Sequence, residues 1–357
     1  MLALEARATQ SASAAWLSPL LAMALTGLTG ALIFLAMGKA PGIALYIYFI
    51  EPLTSWSGLS EVAVKAGPLI LIGIGLSVGF RAGVWNIGAE GQFIAGALLG
   101  SAPAVYFYDS TNLLILPAML VLGVLGGMAW AAIPALLKTR FNANEILVSL
   151  MLVYVAELLL VHLVQGPWRN PQGWGFPGTR MFPDVALLPM LFPGYRVHLG
   201  TLIALLIPLL AWFVLTKSRF GFKVRVFGSA PLAARHAGIN NPQMVWATLL
   251  IGGGLAGLAG IMEAASTIGQ LMPKISPGYG FTAIIVAFLG RLHPVGVALA
   301  GTAIAVTYIG GEGAQISAGL PKAVTGLFQG IILFYLLAFD LLTRYRLTRI
   351  GNKASAT

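Results

Sequence analysis

The sequence predicts an all-α, polytopic integral membrane protein of about ten transmembrane helices, with both ends in the cytoplasm and with broken or re-entrant segments. Three observations carry that expectation. The 357 residues are 58% hydrophobic and 9% charged, with a mean hydropathy of +0.88, whereas a soluble domain carries about 25% charged residues. Apolar runs of about 20 residues, the length that crosses a bilayer, recur along the chain. Two of these runs are interrupted by glycine-rich polar stretches, a pattern tolerated at membrane depth only where protein or water satisfies the backbone.

Taken in order, the first span is about 17–38. Arg7 precedes an apolar run too long for the 7–15-residue core of a cleaved signal peptide, so the run is expected to be retained. Residues 39–60, with Tyr46, Tyr48, Trp56, Pro41 and Pro52, read as interfacial, where aromatic rings prefer to sit. Spans follow at about 61–80, 92–108, 113–137, 145–165, 198–216 and 242–269. A short eighth piece, 281–290, reads as a span or a re-entrant segment. The last two spans are 294–311 and 319–340. The expected division is a tail of 1–16, a membrane domain of 17–341 with an outer loop at 166–197 and a cytoplasmic loop at 217–241, and a tail of 342–357.

Alternating the spans from a cytoplasmic N-terminus puts Arg7, Arg81, Lys138, Arg140, Lys217, Arg219, Lys223, Arg225, Arg235, Arg291 and the tail basics Arg344, Arg346, Arg349 and Lys353 on one side. That side holds about twice the Lys and Arg of the other, as cytoplasmic loops do. The net charge of +10 therefore reads as topology, not as a nucleic-acid surface.

The stretch GFRAGVWNIGAEGQ, 79–92, breaks the apolar pattern most sharply. A second break, PKISPGYG at 273–280, lies in the other half, and paired interruptions point to a transport path. Of the acids in or near spans, Glu90 sits beside Asn86 and Gln92 and reads as part of a polar network or as a proton site. Glu157 reads as a proton or cation site, or as a packed or interfacial carboxyl. Its insertion costs about 2.5–3.5 kcal/mol at a helix centre, which a span rich in Leu, Ile and Val offsets at roughly 0.3–0.6 kcal/mol per residue. Glu263 is the third such acid.

Several chemistries find no support. Cysteine is absent, so thiolate metal sites and cysteine nucleophiles are excluded. His162, His198, His236 and His293 show no ligand spacing, and no metal is expected. Neither a G-x-x-x-x-G-K-[ST] loop nor a G-x-S-x-G elbow occurs. The chain is thus expected to be non-catalytic and without a cofactor of its own. Trp168, Trp174 and Tyr195 read as loop anchors or as stacking surfaces. In GFKVRVFGSAPLAARHAGINNP, 221–242, Ser229 reads as a cap, Pro231 as a first-turn residue and Gly238 as the stop of a short helix. Insertion needs no such helix, so it reads as a docking element.

Four segments carry a family resemblance: GFRAGVWNIGAEGQFIAGALLG (79–100), NANEILVSLMLVYVA (142–156), GFKVRVFGSAPLAARHAGI (221–239) and GFTAIIVAFLGRLHPVGVALAG (280–301). In order and spacing they resemble permeases of ABC importers of the nucleoside and simple-sugar group, within the branched-chain amino acid permease superfamily. The resemblance covers about 15–345. It implies a multi-pass subunit of the bacterial cytoplasmic (inner) membrane that carries a nucleoside-like or sugar-like solute. The implied partners are an ATP-binding subunit, a second homologous permease or a second copy, and an extracytoplasmic solute-binding protein, with lipid around them. It also implies a translocation path near Asn86, Gly88, Glu90, Gln92 and Thr282. The segment 230–238 becomes a coupling helix, with Ser229, Pro231, Ala234, Arg235 and Gly238 as its marks. Trp85, where Leu or Phe is common, and the Pro/Trp-rich loop 166–183 depart from the pattern. The competing readings are an ion-coupled secondary carrier using Glu90 and Glu157, and a membrane enzyme or scaffold, for which no polar catalytic cluster appears.

Overall fold

The computed structural model describes residues 2–6 and 12–349. Arg7 and Lys353, counted above among the cytoplasmic basics, lie outside the described residues. Among the described residues the elements are helical apart from one antiparallel pair, β1 (Leu2–Ala6) against β2 (Tyr345–Arg349), and an isolated bridge between Met190 and His198. Six described helices are long and apolar enough to cross a membrane: Trp56–Arg81, Ile115–Phe141, Glu145–Gln165, Leu199–Lys217, Asn241–Ser266 and Pro294–Ala318. The chain forms two compact units, one from the residues up to Ser55 and from Val306 onward, the other from Trp56 to Ala305.

In the first unit, α1 (Ala12–Ala36) packs along α13 (Ala323–Arg344). Residues 39–60, expected as one interfacial stretch, instead contain α2 (Pro41–Phe49), a 3₁₀ turn (Glu51–Leu53) and the start of α3 (Trp56–Arg81). Tyr46 and Trp56 are exposed, but Tyr48 is fully buried. It stacks on Phe328 at 4.7 Å between centroids, with Phe34 at 5.5 Å from the same ring. Burial of aromatic surface outweighs the interfacial preference of the tyrosine ring here.

The second unit contains α3, α4 (Ala89–Tyr106), α5 (Ile115–Phe141), α6 (Glu145–Gln165), α7 (Leu199–Lys217), α8 (Arg219–Ser229), α9 (Pro231–His236), α10 (Asn241–Glu263), α11 (Tyr279–Leu289) and the start of α12 (Pro294–Ala318). Its centre is where α4, α5 and α10 meet at glycine. A Cβ on Gly257 of α10 would lie within 3 Å of Gly127 backbone atoms of α5, and one on Gly96 of α4 would collide with Gly257 itself. Only bare backbones can approach so closely, and this is how helices associate where no water drives them together.

Helix ends follow local signals. Asn142 ends α5 in the left-handed conformation, and the Asn144 side chain accepts from Ile146 N at 2.9 Å to start α6. Lys138 at the close of α5 pairs with Glu145 in the first turn of α6 at 2.8 Å. A π turn, Ala264–Ile268, and Gly269 at φ +70° end α10. The loop 166–197 is ordered by bonds to that end: Thr179 N, Phe182 N and Leu188 N donate to the carbonyls of Leu271, Gly269 and Ala265 at 2.8–3.0 Å. The eighth expected span is the 11-residue α11. At about 1.5 Å per residue it reaches roughly half the hydrocarbon core.

Candidate functional site

The break expected over 79–92 is shorter in the structure. Helix α3 continues to Arg81 and α4 starts at Ala89, so only 82–88 are irregular, and Glu90 and Gln92 lie in the first turn of α4. Gly79 remains helical because Ala82 and Val84 N–H groups both return to its carbonyl at 2.9 Å, closing α3 beyond it.

Within the break the polar groups satisfy one another. Asn86 Nδ2 donates to Gln92 Oε1 at 2.8 Å, and Gln92 Nε2 donates back to Asn86 Oδ1 at 3.1 Å. The same Oδ1 accepts from Gly88 N at 3.1 Å. Ile87 N donates to Ser149 Oγ of α6 at 3.2 Å. Asn86, Glu90 and Gln92 are all buried. Burying these amides is tolerable only because each is paired.

The two breaks of the sequence meet in space. The Glu90 carboxylate accepts a hydrogen bond from Gly280 N at 2.5 Å, and Ser276 also hydrogen-bonds it. Ser276 Oγ accepts from Gly278 N and Tyr279 N, both at 3.0 Å, and so caps α11. A Cβ on Gly280 would strike Glu90 and Ala89 backbone. The N-terminal turns of α4 and α11 therefore abut. Two positive helix ends in contact repel, and a carboxylate between them offsets that repulsion. Thr282, two residues past this contact, is buried in α11. Asn86, Gly88 and Gln92 thus form one knot, tied to α6 through Ile87 and Ser149, and Glu90, in the same first turn of α4, forms a second with Ser276 and Gly280. Of Ser149, Ser276 and Gly280, only Ser276 had a local signal, as the cap of S-P-G-Y.

Glu157 is different: it lies near the middle of α6 and is exposed in this chain. Trp168 anchors the loop 166–197 through Nε1 to Tyr106 Oη at 3.3 Å, while Trp174 is fully exposed. His198, just before α7, is buried with no partner for Nδ1. Burial pushes its pKa down to about 4, and the Arg196 charge adds to the effect. Among the described residues no three His, Asp or Glu come together as a metal site would require.

The basic loop folds as α8 and α9, and one expectation is corrected. Ser229 is the last residue of α8, where its hydroxyl donates to Val226 O at 3.3 Å. The cap position of α9 belongs to Ala230, with Pro231 first in the helix. Gly238 ends the segment at φ +76°, with Ile239 N returning to Ala234 O at 3.0 Å. Ala234 is fully buried, while Arg235 is exposed and Leu232 is 78% exposed. Leu232 was not singled out from the sequence, although it is the one large apolar side chain of the six-residue α9.

Ala234 belongs to a hydrophobic cluster that includes Val224 and Phe227 of α8, and Ala82 and Val84 of the break. A Cβ on Gly228 would collide with the Arg81 carbonyl. The α8–α9 loop thus rests directly on the irregular segment that leads to the Asn86–Gln92 knot.

Residues 58–337 match the family model for the branched-chain amino acid transport system / permease component. The chain is similar to a glucose ABC transporter permease protein of Haloferax volcanii, 38% identical over 99% of this chain and 97% of that protein. It is also similar to a guanosine ABC transporter permease protein of Bacillus subtilis, 31% identical over 89% and 92% of the two chains. A nucleoside ABC transporter permease protein of Lactococcus lactis is 26% identical over 90% of each. No solved structure matches. With its multi-pass apolar helices and a match over most of its length, the chain belongs to the branched-chain amino acid transport system / permease component family.

Proposed function

We propose that this chain is the translocating subunit of an ATP-driven importer for a nucleoside-like or simple-sugar-like solute. The relatives named for glucose, guanosine and nucleosides support that solute range. In this reading the chain hydrolyses nothing. A separate ATP-binding subunit grips α9 through Leu232 and Arg235, a solute-binding protein delivers from outside, and a homologous permease or second copy completes the path. The chain spans the cytoplasmic membrane about ten times with both ends inside.

The observation that carries the mechanism is the shared cluster of Ala234, Val224, Ala82 and Val84. A displacement of α9 is passed through close-packed side chains to the 82–88 segment and on to the abutting ends of α4 and α11. ATP binding shifts the inward–outward equilibrium only by the partner's differential affinity for the two states. Glu157 fits the same reading. A carboxylate at mid-helix facing acyl chains would cost about 2.5–3.5 kcal/mol, so Glu157 itself is placed on the path shared with the second permease.

The absence of cysteine makes the test clean. Cysteines placed singly at positions 235 and 157 are probed with a water-soluble maleimide in inside-out and right-side-out vesicles carrying the full transporter. Position 235 should react only from the cytoplasmic face, and less when the ATP-binding subunit is present. Position 157 should react when transport is cycling. Reaction of position 235 from outside, or uptake that survives ATP depletion and collapses with an uncoupler, would overturn the reading.

A further inference from the structure

We infer that the second unit carries a binding slot for one anionic phospholipid, with an acyl chain between α7 and α10 and the headgroup on the basic residues of α7 and α8. A groove of about 530 Å³ runs between α3, α5, α7 and α10, lined by Ile74, Met128, Leu210, Leu215, Phe220 and Leu255 among others, with no polar lining side chain. Along α10 it extends from Ala247 to Leu258, about 17 Å at 1.5 Å per residue, close to the depth of one leaflet. Spread over that length, and widened by a water radius on each side, its volume gives a slot roughly 9 Å across, somewhat narrower than a helix with its side chains. A hydrocarbon tail fits such a slot.

The charge is at one end only. The groove runs to Leu215 and Phe220, which bracket Lys217 and Arg219 in sequence. Lys223 lies one turn along α8 from Arg219, and all three side chains are exposed. Arg225 Nη1 donates to the carbonyl of Leu215 itself at 2.9 Å, which fixes a fourth cation at the mouth. No Asp or Glu occurs between Asp184 and Glu263, so the chain supplies no nearby sequence acid to neutralise them. An apolar slot of single-leaflet depth, opening under clustered Lys and Arg, matches an acyl chain with a phosphate-bearing, net-negative headgroup.

The test uses the full chain in nanodiscs of phosphatidylcholine and phosphatidylglycerol, followed by detergent extraction and native mass spectrometry. Wild type should retain phosphatidylglycerol over phosphatidylcholine by at least about fivefold, the gain expected from a single nearby cation. The quadruple variant Lys217→Gln, Arg219→Gln, Lys223→Gln, Arg225→Gln changes only exposed side chains and should bring the ratio to near one. Ala211→Phe, which fills the slot, should remove retention of both lipids. Equal retention of the two lipids by wild type, no retention at all, or a ratio that the quadruple variant leaves unchanged would each overturn the proposal. Loss of the bound lipid when the full transporter is assembled would do so too, by showing a protein occupant instead.

Discussion

The Glu90 carboxylate accepts a hydrogen bond from the backbone N–H of Gly280, so one side chain in the first turn of α4 holds the first turn of α11. That bond links two interrupted helices across 190 positions of sequence. Glu90→Ala should leave the Gly280 donor buried and the two helix ends in unrelieved repulsion. A hydrogen bond to a charged group is worth about 1.5–3 kcal/mol, and thermal unfolding of the purified protein should report a loss of that size. Glu90→Gln keeps an acceptor and should lose less. An unchanged melting midpoint for the Ala variant would mean that the bond holds nothing.

Gly88 sits against α6, where a Cβ would fall 2.5 Å from the Ser149 carbonyl oxygen and 2.7 Å from its Cβ. Gly88→Val should therefore abolish uptake by forcing the break away from α6, not by plugging a channel. Overpacking of this kind costs about 1–3 kcal/mol. Gly88→Ala should show a smaller loss in the same direction. Near-normal uptake by the Val variant would refute this packing.

On α9 the buried and exposed residues should separate cleanly. Arg235→Glu and Leu232→Asp change exposed side chains and should shift stability by less than about 0.5 kcal/mol, while lowering solute-stimulated ATP hydrolysis and copurification of the ATP-binding subunit. Ala234→Leu adds volume to the cluster beneath and should reduce stability and coupling together. If all three variants behaved alike in both assays, the assignment of faces would fail.

His198 gives a pH signature. Its folded pKa is pushed from 6.5 to about 4, so the folded state keeps the imidazole neutral while the unfolded chain takes up a proton below about 6.5. Stability should be unaffected by this group above that pH and fall as pH drops towards 4. Below that it should level off, with a total loss of at most about 3 kcal/mol. His198→Asn should flatten the pH dependence across this window, measured as melting midpoints between pH 7.5 and 4.

Some of this was legible in the chain alone, because its causes are local. The apolar runs had to be helices, since no other open structure satisfies its backbone in lipid. Gly238 had to stop the helix begun at Pro231, because caps act within a turn. Ser229 shows the limit. Its hydroxyl and the following proline suit a cap, but α8 continues through it and leaves the cap position to Ala230. Leu232 and Ala234 are two residues apart and both apolar, and only packing decides that the larger faces out and the smaller in.

By itself the sequence determined that lipid is this protein's solvent, where most helices lie, and which transporter family the four segments indicate, because composition and short-range pattern suffice for each. Only the tertiary structure decided that the two breaks touch through Glu90 and Gly280, and that the α8–α9 loop stands on Ala82 and Val84. Those contacts join residues far apart in the chain, and which distant backbones come within hydrogen-bonding reach depends on how closely the glycines of α4, α5 and α10 let the helices pack.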